Sequence, residues 1–188
     1  MHILETYALM TGSKIDKCFI HEEKIDLPSE KYITFHPYSP RGDSRQYDHW
    51  NKVFSLLHDN KSFNYRILQI GQSDDDKYDK YNVDISYLGK TSYYSLAYLM
   101  KHSELHFGID SFPVHIASHY DKKIVAIYFY YSSTCGPYFS SSENIKILEP
   151  DYSNIKPVFQ YNDPYHLINT IDPETIYKSV CDLLEIKA

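Results

Sequence analysis

The stretch Leu105-His106-Phe107-Gly108-Ile109-Asp110-Ser111-Phe112-Pro113-Val114-His115-Ile116-Ala117 decides how this chain reads. Leu105–Ile109 is a short apolar run with the look of a buried strand. Asp110-Ser111 ends it. Pro113 then opens a short helix to Tyr120, because proline suits the first helical turn. Lys123–Phe129 follows as the most apolar strand of the sequence. Strand, helix and strand in such quick succession predict a parallel βαβ unit.

The same alternation extends outward in both directions. Tyr32-Ile33-Thr34-Phe35 reads as a strand cut off by His36-Pro37. Tyr47–His58 carries Trp50, Val53, Phe54 and Leu57 at helical spacing. Tyr65–Ile70 is a strand ended by Gly71, and Asp84–Leu88 a weaker one ended by Gly89. Ser92–His102 is a helix with Leu96, Leu99 and Met100 on one face and Ser92 as its cap. Asn144–Leu148 is a last strand. Asp172-Pro173-Glu174 opens a final helix through Leu184, with Asp172 as N-cap and Pro173 in the first position. This order predicts a single α/β domain, Rossmann-like, with a mainly parallel sheet and helices on both faces. Residues 1–30 stand apart as a short helix, Leu4–Met10, and a charged connecting segment.

Composition bounds the function. The chain has 188 residues, about one domain. It carries 19 Lys and Arg against 25 Asp and Glu, a net charge of -6, so no nucleic-acid partner is expected. No apolar run reaches the ~18 residues of a membrane span, and no secretory signal is visible at the N-terminus. Cys18, Cys135 and Cys181 are odd in number and form no CxxC, which disfavours a disulfide framework or a cysteine zinc site. A reducing, cytoplasmic setting is the expectation. The 20 tyrosines, beside many Lys, Asn, Ile and Asp residues, look like genomic base composition rather than a tyrosine mechanism.

In open parallel sheets ligands bind beyond the carboxyl ends of the strands. Three candidate loops lie there. Asp110-Ser111 at a helix start, with His115 one turn in, suits a phosphate; a capping pair with a packed histidine is the plainer use of the same residues. His36-Pro37-Tyr38-Ser39-Pro40-Arg41-Gly42-Asp43-Ser44-Arg45 offers hydroxyls, a glycine and two arginines, whose forked hydrogen bonds suit a diphosphate; a polar turn is the plainer use. Asp74-Asp75-Asp76 after a strand offers a carboxylate for a ribose diol, or simply a charged loop. Neither metal nor cofactor is expected. No HExxH or GxSxG occurs, and Gly89-Lys90-Thr91-Ser92 lacks the upstream glycine of a phosphate-binding P-loop.

In order and spacing these motifs resemble the C-terminal half of glycosyltransferase family 9, the heptosyltransferases, which have a two-domain GT-B fold. Leu88-Gly89-Lys90-Thr91-Ser92, Leu96-Ala97-Tyr98-Leu99 and Gly108–Ala117 follow the family's run from "G-K-T-S" to "D-S/T-G-x-x-H-x-A". Ile124–Tyr128, Ile171–Ile176 and Ile33–Pro37 with Trp50 match further segments, so the resemblance covers about residues 31–188. It implies that residues 31–188 form a nucleotide-sugar-binding domain, with residues 1–30 a preceding helix and linker. It further implies binding of a nucleotide-diphosphate sugar, ADP-heptose in type, and metal-independent glycosyl transfer. Asp110, Ser111 and His115 would hold diphosphate and sugar, Arg45 would replace a family lysine, and Asp75 or Asp76 would bind the ribose. Tyr38, Ser39 and Arg41 would line the phosphate loop. Phe112 stands where the family has glycine. The family's acceptor-binding half has no counterpart here. Three expectations follow: a donor-binding part of a split enzyme, completed by an acceptor-domain protein or a homo-oligomer; a non-catalytic binding or assembly protein, for example viral, on a degenerate domain; or a compact complete enzyme. In the last, residues 1–30 and 130–170 build the acceptor site.

Overall fold

The computed structural model describes residues 1–38, 45–72, 81–129, 132–152 and 166–188. Six strands form one sheet: β1 (Tyr32–His36), β2 (Arg66–Gln69), β3 (Ile85–Ser86), β4 (Leu105–Ile109), β5 (Lys123–Ile127) and β6 (Ile145–Leu148). Their spatial order is β3-β2-β1-β4-β5-β6, and every pairing is parallel. Sequence order reverses between β1 and β4. This is the switch point at which such sheets open a crevice.

The helices are α1 (Ile3–Thr11), α2 (Trp50–Asp59), α3 (Tyr93–Lys101), α4 (Phe112–His119), α5 (Ser132–Cys135) and α6 (Pro173–Leu184). Helices α2 and α6 cover one face, over Phe35, Trp50, Phe54, Phe107 and Val180. Helices α3 and α4 cover the other, over Leu68, Leu99, Val114, Ile124 and Tyr128. A parallel sheet covered on both sides needs apolar residues at successive positions, which is why its strands read as runs rather than alternations. β1 and β4 are buried at every residue.

The Asp172 and Ser92 caps form as expected. Asp172 accepts the Glu174 N–H at 3.1 Å, and Ser92 accepts the Ser95 N–H at 3.1 Å. Several elements are shorter than their patterns, and in α2 and β3 the cause is visible. Helix α2 begins at Trp50, because Tyr47 and Asp48 are tied to the turn at 167–171. The Tyr47 hydroxyl donates to the Ile171 carbonyl at 2.7 Å, and Asn169 pairs with Asp48 at 2.8 Å on both sides. Strand β3 keeps only Ile85–Ser86. Asp84 before it turns its carboxylate to the Ile67 N–H at 2.7 Å, and Gly89 after it sits at φ 64°.

Helix α1 ends on Gly12 at φ 69°, and residues 13–31 contain neither helix nor strand. They follow α3 and α4. Glu22 meets Lys101 and the Tyr120 hydroxyl at 3.0 Å each, Glu23 accepts from Ser92 at 2.9 Å, and Ile25 and Leu27 pack against the core. Among the described residues no helix is long and apolar enough to cross a membrane.

Candidate functional site

The switch point between β1 and β4 gathers several polar side chains. His36 closes β1, and Asp110 and Ser111 follow β4 directly. The strands come unusually close here. A Cβ on Gly108 would lie 2.2 Å from the His36 carbonyl oxygen, so glycine is required at that position. This close approach brings His36 Nδ1 to 2.9 Å from Ser111 Oγ.

Ser111 occupies the N-cap position of α4, yet its hydroxyl makes no capping bond. It donates instead to the Ile109 carbonyl at 3.0 Å. Its single proton is thereby used, so it accepts from His36 Nδ1–H. Burial lowers the His36 pKa to about 4. The ring is therefore neutral near pH 7, with its proton on Nδ1 and a lone pair on Nε2. One strand residue deeper, His106 Nδ1 pairs with Thr34 Oγ1 at 3.0 Å. Burial and the neighbouring His36 lower its pKa to about 3. His106 Nε2 is buried with no hydrogen-bond partner.

Arg45, just ahead of α2, reaches across to Asp110. Nη1 donates to Asp110 Oδ2 at 2.6 Å and to its main-chain carbonyl at 3.3 Å. The short distance is that of a charge-assisted bond. Both bonds use Nη1, so the rest of the guanidinium has no partner among the described residues. Asp110 is buried, while the Arg45 side chain keeps about a quarter of its surface in solvent (24%). His115, one turn into α4, is exposed at one side. Its surroundings lower its pKa by desolvation, and Asp110 opposes that shift.

Of the residues expected from sequence, Arg45, Asp110 and Ser111 meet in one cluster, and His115 joins its edge. Tyr38 packs its ring against the core under α2 and α6. Ser39, Arg41, Asp75 and Asp76 lie outside the described residues. Phe112, at the first position of α4, is half exposed and stands edge-on to Tyr93 at 5.6 Å. Among the described residues no group of His, Cys, Asp and Glu could hold a metal ion.

Two participants are absent from the sequence-based set. His36 heads the candidate loop His36–Arg45 in the sequence but has no role of its own there; its place beside a proline at a strand end is the available signal. Tyr128 follows β5, and the β4–β5 register, which pairs Ile109 with Ile127, sets it beside Asp110. Its side chain is fully buried; among the described residues its hydroxyl has no partner in full hydrogen-bond geometry, although it stands within weak reach of the Asp110 carboxylate. An unpaired buried hydroxyl costs about 1–3 kcal/mol. Burial, then the charge of Asp110, raises its pKa.

The description glycosyltransferase family 9 (heptosyltransferase) belongs to the family model that matches residues 4–166. Among curated proteins no sequence match is found. Among solved structures, a family 9 glycosyltransferase from Veillonella parvula is 19% identical with a TM-score of 0.65, over 96% of this chain and 50% of that one. The E. coli ADP-heptose lps heptosyltransferase II is 15% identical, TM-score 0.62, over 96% and 51%. The E. coli heptosyltransferase WaaC with ADP is 14% identical, TM-score 0.61, over 82% and 45%. The chain thus spans about half the length of the structures it matches.

Proposed function

Because this chain belongs to glycosyltransferase family 9, we propose that it binds a nucleotide-diphosphate sugar at the β1–β4 switch point. One observation carries the reading. Arg45, Asp110, Ser111 and the start of α4 converge on one spot beyond the carboxyl ends of β1 and β4. The free guanidinium N–H groups and the α4 N-terminus suit a diphosphate, and Asp110 suits the hydroxyls of a sugar. Both E. coli heptosyltransferases to which the chain is similar carry ADP or ADP-heptose in their descriptions, which favours an ADP-sugar. Arg45, Ser111 and His115 would hold the anion, and Ser39, Arg41, Asp75 and Asp76 would complete the loops. Glycosyl transfer also needs a base for the acceptor hydroxyl and cations for the departing diphosphate. This domain supplies the second, so the reading is a donor-binding part completed by an acceptor-binding domain or a further copy. A soluble, cytoplasmic setting accords with it.

Thermal unfolding with ADP-, GDP-, UDP- and CDP-sugars tests the reading. A ligand at 100 times its Kd adds about 2.7 kcal/mol. The expected result is a raised midpoint with ADP-sugars, lost in Arg45→Ala. A midpoint unmoved by all four would favour the non-catalytic assembly reading, which Phe112 in the family's glycine position supports.

A further inference from the structure

The Asp110 carboxylate has a partner in the free protein, Arg45, and an unpaired buried hydroxyl beside it, Tyr128. The two facts bear on each other. Asp110 and Tyr128 continue the β4–β5 register on the same face of the sheet, and the Asp110 N–H already bonds the Ile127 carbonyl at 3.0 Å. Phenylalanine would fill the same space without burying a hydroxyl. A tyrosine here therefore loses stability in the free chain unless its hydroxyl acquires a partner in another state. Asp110 has the complementary problem. If Arg45 turns its guanidinium toward a ligand phosphate, a largely buried carboxylate is left without its donor.

We infer that Tyr128 is a positioning residue, the reserve hydrogen-bond donor to Asp110, which takes over when Arg45 turns to a bound phosphate. The inference rests on the proposed donor site for the handover but not for the Tyr128–Asp110 pairing. In the free protein the Arg45 ion pair holds one carboxylate oxygen, and the hydroxyl waits. In the bound protein the hydroxyl donates to Asp110, so the carboxylate stays fixed and ionised while its second oxygen accepts from the sugar. Tyr128 touches no reacting atom in this scheme and acts through Asp110.

A double-mutant cycle on the free protein tests the pairing without any ligand. Tyr128→Phe in the parent chain should raise the melting temperature by about 2–4 °C, since a stranded hydroxyl is removed. In an Arg45→Met background the same change should lower it, because the hydroxyl there bonds Asp110. Equal increases in both backgrounds would overturn the inference, because a merely buried hydroxyl has no reason to change sign. If Arg45→Met does not fold, Arg45→Gln replaces it, and the stabilising effect of Tyr128→Phe should then disappear. Its persistence overturns the pairing. Calorimetric binding of ADP and of inorganic pyrophosphate tests the handover. Tyr128→Phe should weaken ADP about tenfold while remaining folded. An unchanged ADP affinity overturns the handover and leaves the donor site standing. A parent chain that binds neither probe, with the sign reversal intact, overturns the donor site and keeps the Tyr128–Asp110 pairing.

Discussion

His36 and His106 are two imidazoles held neutral between β1 and β4, and their cost appears in acid. Their folded pKa values, about 4 and about 3, lie below the ordinary value near 6.5. The unfolded chain therefore binds more protons below pH 6.5, and stability falls as pH falls. The contribution is complete above pH 6.5 and drains away toward pH 4. Between pH 7 and pH 5 each buried imidazole should cost on the order of 2 kcal/mol. Urea unfolding at stepped pH should show this decline, and His106→Gln should make it shallower. A flat profile would mean the rings are accessible to protons. Neither histidine's state was legible in sequence. His36 read as a strand end heading a polar loop and His106 as one polar residue in an apolar run, because burial and tautomer depend on which strands become neighbours. Asp110, Ser111 and Arg45 were legible, since a strand–loop–helix junction marks itself by local chemistry.

Among the elements, β4 depends most on one small residue. Gly108 lets its backbone lie against the His36 carbonyl, and a methyl group there would meet backbone, which cannot rotate away. Gly108→Ala should cost about 1–3 kcal/mol, toward the upper end, and weaken the His36–Ser111 contact with it. Chemical denaturation measures the first effect. The second appears in the His36 ring titration, which should move toward the ordinary histidine value. A wild-type midpoint would show that the strands part freely. Strands β1, β4 and β5 and helix α6 were readable because their signals are local: apolar runs, a proline, a cap. Strand β3 and the start of α2 were not. Both boundaries are set by partners distant in sequence, Ile67 for Asp84 and Ile171 for Tyr47.

The whole molecule divides its stability unevenly. Helix α1 buries none of its residues, and Tyr7, Leu9 and Met10 are exposed. Among the described residues it is held to the domain by the His2 side chain, which donates from Nε2 to the Gly136 carbonyl at 2.9 Å and lies tilted against the Tyr138 ring at 4.7 Å, and by the Tyr138 hydroxyl, which donates to Glu5 at 3.5 Å. Local opening there exposes little apolar surface, so it needs little free energy. Amide hydrogen exchange in α1 should finish orders of magnitude before that in β4 and β5. Equal protection would mean that α1 and the sheet unfold together. The strap at residues 13–31 could not be read beyond its charge, because an ion pair with Lys101 and a hydrogen bond from Ser92 leave no periodic trace.

The reversal of strand order between β1 and β4 has one more consequence, and it concerns descent rather than mechanism. Every strand points the same way, so the chemical residues gather on a single rim while the packing residues lie between the layers. Mutations on that rim are filtered by whatever the site must do, and mutations between the layers by folding alone. The two ledgers of selection are nearly separate. A lineage can rewrite the rim while the sheet beneath keeps its shape at identities below one residue in five.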